Sequence, residues 1–142
     1  MPVQRWWHIS RKKVEENPKF LFVFGDNIVQ QGYGGQAAAC RGEPNVVGIP
    51  TKFFPTNEDN AFFKDDDYKH VAAKWDAIFA RLHQHLQRGG TVVIPHGGIG
   101  TGRARLKEKA PALWQLLQLK LALLDKAAHE NLSIERAANI AV

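Results

Sequence analysis

The chain has 142 residues, 44% hydrophobic and 23% charged, which excludes a disordered protein and fits one domain burying roughly 68–70% of its unfolded surface. No apolar run approaches the roughly 20 residues of a membrane span, the opening MPVQRWWHISRKK lacks a signal-type apolar core, and the single Cys40 excludes an internal disulfide, so the expected setting is cytoplasmic, with no membrane partner. A net charge of +5 tilts the partners toward phosphates, nucleotides and nucleic acid.

In chain order, an early strand is expected around residues 5–9. KFLFVF, residues 19–24, is an apolar run of strand length that ends at Gly25-Asp26-Asn27. Gly32, Gly34 and Gly35 then lead into a short alanine-rich helix. NVVGIP, residues 45–50, predicts a second strand closed by its proline. Val71, Trp75, Ile78, Phe79, Leu82 and Leu86 recur at helical spacing over residues 69–86. Asp65, Asp66 and Asp67 stand at the start of that helix, where carboxylates suit the positive end of the dipole. Residues 91–94 predict a third strand. Residues 108–128 predict a long helix with Leu113, Leu117, Leu121 and Leu124 on one face, and residues beyond 131 receive no assignment. Strands alternating with helices favour an α/β domain. Trp75 and Trp114 read as core, whereas the adjacent Trp6 and Trp7 would point to opposite sides of a strand.

Two stretches are richer in glycine than a helix or strand tolerates at roughly 0.5–1 kcal/mol per residue. One is GDNIVQQGYGGQAAACRG, residues 25–42; the other is IPHGGIGTGRARL, residues 94–106. Each follows a strand and precedes a helix, so each can bring backbone amides to the carboxyl end of a sheet, where anions bind. Together they could hold the two phosphates of one diphosphate. Neither has the Gly-Lys-Ser/Thr of a P-loop, and neither fits GxGxxG well. Read singly, the loops are ordinary turns, Asp26 is a turn cap, and Lys52 is a solvated surface lysine. His96 is the histidine beside the loop glycines. Metal ligation has no support in the histidine spacing.

Between the loops lies VGIPTKFFP, residues 47–55. With the Asp-Asn strand end, the first glycine loop and the late IPHGGIGTGRARL, this order resembles the macrodomain family over roughly residues 20–125. The nearest branch contains the terminal ADP-ribose protein glycohydrolases and the macrodomain antitoxins paired with DNA-ADP-ribosylating toxins. The resemblance implies a single domain over residues 1–142, a three-layer α/β/α macrodomain-like sandwich. Its central mixed sheet would be built on residues 19–24, 45–49 and 91–95. Asp26 and Asn27 would lie near the adenine and distal ribose. Gly34, Gly35 and Gln36 would form the first phosphate loop, and Gly98, Ile99, Gly100, Thr101 and Gly102 the second, with Thr51 and Arg103 also on the ligand. Lys52 would be catalytic, attacking the anomeric carbon of the distal ribose, with no cofactor. The implied partner is ADP-ribose or an ADP-ribosylated protein or nucleic acid.

One departure bears on the chemistry. The glycohydrolases of this branch carry an aspartate between the last loop glycine and the next leucine, where this chain has Arg103-Ala104-Arg105. The antitoxins lack that acid too, and Asp65, Asp66 or Asp67 could supply a carboxylate instead. Two other readings stand beside this one. A non-catalytic ADP-ribose or nucleotide-binding module would use the same loops without needing Lys52. A lysine-decarboxylase-like nucleotide hydrolase would carry a turn partly like Pro95-His96-Gly97-Gly98-Ile99-Gly100-Thr101, but with a glutamate where Arg103 stands.

Overall fold

The computed structural model describes the backbone of residues 2–141 and the side chains of residues 2–130. Four short strands, β1 (Val3–Trp6), β2 (Phe20–Asn27), β3 (Val46–Lys52) and β4 (Thr91–Pro95), form one sheet in the order β1-β4-β2-β3. Every pairing is parallel, which corrects the mixed sheet that the macrodomain resemblance implies. The reason lies in the connections. Helices α1 (Arg11–Glu16), α2 (Ala37–Cys40) and α3 (Tyr68–Gln87) each separate two consecutive strands, and a crossover returns the chain to the same end of the sheet. The first of these helices escapes a periodicity reading because RKKVEE offers one apolar residue, Val14. Its start was nevertheless marked: the Ser10 hydroxyl accepts from the Lys13 N–H at 3.2 Å. β1 also begins two residues earlier than the expected span and ends at Trp6.

Strand side chains alternate between two faces, and both faces are covered. Leu21, Val23, Val47, Ile49, Val92 and Ile94 pack against α3 and against α5 (Pro111–Ala141), whose Leu113, Leu117, Leu121 and Leu124 form the expected buried stripe. Phe22, Phe24 and Val93 pack on the other side against Val14 of α1 and Ala37, Ala39 and Cys40 of α2. The domain is therefore α/β, with a parallel sheet between helical layers. The helix expected over 108–128 is divided. A short α4 (Leu106–Lys109) stops before Ala110, and α5 starts at Pro111, because proline has no N–H to continue one helix but suits the first turn of the next.

The three aspartates do not line up on the first turn of α3. They form a 3₁₀ turn before it, in which the Asp67 carboxylate accepts from the Lys64 N–H at 2.9 Å. Asp65 reaches across to accept from the Ala112 N–H at 3.0 Å, capping α5. Trp75 is fully buried, and its indole N–H donates to the Pro50 carbonyl at 2.8 Å. Trp114 is half-buried against the larger core. Among the described residues no helix is long and apolar enough to cross a membrane.

Candidate functional site

Three parallel strands end side by side, and the ligand sites of open α/β sheets lie at such carboxyl ends. Gly25, Asp26 and Asn27 of β2, Thr51 and Lys52 of β3, and Pro95 of β4 line a cleft of about 480 Å³, within the range of small-molecule sites. The loop after β2 contributes Gly34, Gly35 and Gln36; the loop after β4 contributes Gly98, Ile99, Gly100, Thr101, Gly102 and Arg103. All thirteen residues singled out from the sequence thus border one cavity. Tyr33, exposed at its rim, Pro55 and Arg41 join them without having been singled out.

The second loop needs its glycines. Gly98 and Gly100 take φ of +89° and +78°, where side chains are strained, and a Cβ on Gly100 would stand 3.1 Å from Leu106. The Gly98 N–H donates to Pro95 O at 2.9 Å, and the Leu106 N–H to Gly100 O at 3.2 Å. The N–H groups of Ile99, Gly100, Thr101 and Gly102, and those of Gly34, Gly35 and Gln36, meet no protein acceptor among the described residues. A site dense in such donors suits an anion. The Gln36 Oε1 is likewise buried without a hydrogen-bond partner. Arg103 joins the two loops across the mouth: its Nη1 stands 2.8 Å from where a Cβ on Gly34 would be.

Lys52 is not a solvated lysine; it is 7% exposed. Its Nζ donates to the Thr56 carbonyl at 2.6 Å and lies 4.8 Å from the centre of the Phe62 ring. The Lys109 Nζ approaches the same ring at 5.0 Å. Burial, and then the like charge of Arg103, hold the Lys52 ammonium below the ordinary lysine value of 10.5. The carbonyl and the aromatic face act the other way, favouring the charged form.

The Asp26 carboxylate, the only one lining the cleft among the described residues, is tied to Arg41 at 2.5 and 3.3 Å. The Arg41 Nε also donates to Gly32 O at 2.6 Å, so the ion pair fastens the first loop to the sheet. Both side chains are largely buried, at 15% and 8% exposure for Arg41 and Asp26. An Arg41→Met variant strands a buried carboxylate and loses about 3 kcal/mol of stability. Denaturant unfolding measures this, and a loss below about 1 kcal/mol would show that Asp26 does not depend on its partner. The Asn27 amide is occupied too, donating to Gln31 O at 2.8 Å and accepting from the Gln31 N–H at 3.3 Å. The Thr51 hydroxyl donates to Asp26 O at 3.3 Å. Asp26 and Asn27 thus shape the floor with their side chains already engaged.

Other candidates lie elsewhere. His96 stacks on the exposed Trp7, ring centres 3.5 Å apart, and lines a separate depression with Arg5 and Asp125. None of Asp65, Asp66 and Asp67 lines the cleft, so the carboxylate they were to supply is not there. Cys40, the last residue of α2, is buried against the sheet, and burial pushes its thiol up to about 11, the opposite of an activated nucleophile.

A family model described as "Family of unknown function (DUF7831)" matches residues 4–120. No curated protein and no solved structure matches the chain.

Proposed function

This chain belongs to the DUF7831 family, whose function is unknown, and from the cleft we propose that it binds ADP-ribose or an ADP-ribosyl group and releases it from a macromolecule through Lys52. One observation carries the reading: two glycine loops with unpaired amides border a single cavity whose floor holds a buried lysine of lowered basicity. The diphosphate would lie between the loops, within reach of their N–H groups and Arg103. The macrodomain-like assignment belongs to the same proposal. It rests on the order of the motifs, and the four-stranded parallel sheet departs from the mixed sheet of that resemblance.

In the chemical step the neutral Lys52 amine adds to the anomeric carbon of the distal ribose. The bond from that carbon to the macromolecule breaks, and its electron pair leaves with the departing oxygen or nitrogen, which takes up a proton. Water then adds to the same carbon, freeing ADP-ribose and restoring the amine. Calorimetry against ADP-ribose, AMP and NAD tests the binding, and an ADP-ribosyl release assay tests the reaction. A second reading is favoured by a specific contact. With Asp26 held by Arg41, the cleft has no unpaired carboxylate for proton transfer among the described residues, as in a module that binds ADP-ribose without cleaving it.

The lowered basicity of Lys52 has a direct consequence for pH. Only the free amine attacks, so the release rate rises with pH through an apparent pKa below the ordinary 10.5. Arg103→Met removes the neighbouring like charge, raises the Lys52 pKa and moves that rise to higher pH. An unmoved profile in the variant would show that Arg103 does not tune Lys52.

A further inference from the structure

β3 is an edge strand, paired along its length with β2 and otherwise bridged only at its last residue, Lys52, to Phe62. Its phase can be worked out. The Phe22 N–H donates to Asn45 O at 2.9 Å, so the two-residue alternation of a parallel ladder turns Asn45, Val47 and Ile49 toward β2 and Val46, Gly48 and Pro50 outward. The Trp75 indole, bonding to Pro50 O from α3, agrees with that phase. Pro50 has no N–H, so this bond closes one end of the edge. The N–H and C=O groups of Val46 and Gly48 remain without a protein partner among the described residues.

A groove of about 690 Å³ runs along this edge, walled by the α3 face that carries Lys74, Ile78 and Arg81. Lys74 and Arg81 are exposed, with no ion-pair or hydrogen-bond partner among the described residues. Seven residues apart, they share a helix face with about 10.5 Å between their backbone positions, a distance that roughly four residues of extended chain span. Among the described residues the one carboxylate lining the groove, Asp26, is bonded to Arg41, so the charge left open is positive.

We propose that this groove binds an acidic polypeptide segment in extended form, added to β3 as a fifth strand, with its carboxylates meeting Lys74 and Arg81. Main-chain pairing to an open edge, flanked by a helix, is a recurrent way of recognising peptides. A nucleic acid strand fits less well, because it cannot complete the β-ladder and the groove's aromatic ring, Phe24, is only 3% exposed and offers no stacking platform. The inference does not depend on the ligand of the cleft.

The test is an NMR titration of the intact protein with a capped hexapeptide alternating glutamate and valine, set against its lysine–valine counterpart and an oligothymidylate. The acidic peptide should shift the amide signals of Val46 and Gly48 and slow their hydrogen exchange. The double variant Lys74→Glu, Arg81→Glu, with an otherwise unchanged spectrum, should bind it roughly tenfold more weakly. Three results would overturn the proposal: no response at Val46 and Gly48, equal binding of the lysine peptide, or a response there to the oligothymidylate alone.

Discussion

Replacing Lys52 by alanine should stop the release of ADP-ribose while leaving affinity for ADP-ribose within about tenfold, ~1.4 kcal/mol. The diphosphate would be held by the loop amides and Arg103, which the variant keeps; the anomeric carbon would lose its only nucleophile, and turnover falls by orders of magnitude. Lys52→Arg should fail as completely, since a guanidinium stays protonated at any working pH. The alanine variant also leaves the Thr56 carbonyl without its donor, a cost of about 1–3 kcal/mol if water does not replace it, so an unfolding curve must accompany the assay. A wild-type protein that binds but releases nothing assigns the cleft to recognition alone; an alanine variant that keeps its rate removes Lys52 from the reaction.

Gly102→Glu should abolish ADP-ribose binding without unfolding the protein. A Cβ at Gly102 meets nothing within 4 Å, and its φ lies outside the left-handed region, so the side chain enters without strain. The same change at Gly100 would press on Leu106, and at Gly35, with φ of +57°, it would strain the backbone. One carboxylate about 4 Å from a phosphate costs about 4 kcal/mol at an effective dielectric of 20. Screening at this open mouth reduces that, and a loss of roughly 100-fold or more remains. Gly102→Ala, which adds no charge, should bind as the wild type does. Calorimetry with both variants decides: unchanged affinity in the glutamate variant would place the diphosphate elsewhere.

The parts of the fold legible in the sequence were those with a strong period. The cores of β2, β3, β4 and α3 were visible in apolar runs and helical spacing, and the four leucines of α5 are all buried. α1 was not legible, because a six-residue helix with one buried residue has almost no period to detect. That helix is the crossover that sets β1 and β2 running in the same direction. The break before Pro111 was written in the sequence as a proline but was hidden under an unbroken leucine repeat. At the site, the loops and Lys52 could be found because glycines and a strand end mark them locally. Arg41 could not: its pairing with Asp26 joins residues fifteen apart that only the packing of α2 brings together. Asp65 shows the same limit from the other side, since the helix it caps lies far along the chain.

The strand order also sets a sequence of events in time. β4, the last of the four strands along the chain, lies between β1 and β2, so Val92 pairs with both Val3 and Leu21. Pairings so distant along the chain slow folding. On the ribosome β1 has no neighbour, and one edge of β2 stays open, until residues 91–95 emerge. The second glycine loop follows β4 directly, so the cleft is complete only after that strand has inserted. A ligand that requires both loops therefore recognises only the finished domain. If insertion of β4 limits the folding rate, the ligand's contacts form after that step, and its stabilisation should appear as slower unfolding with the folding rate unchanged.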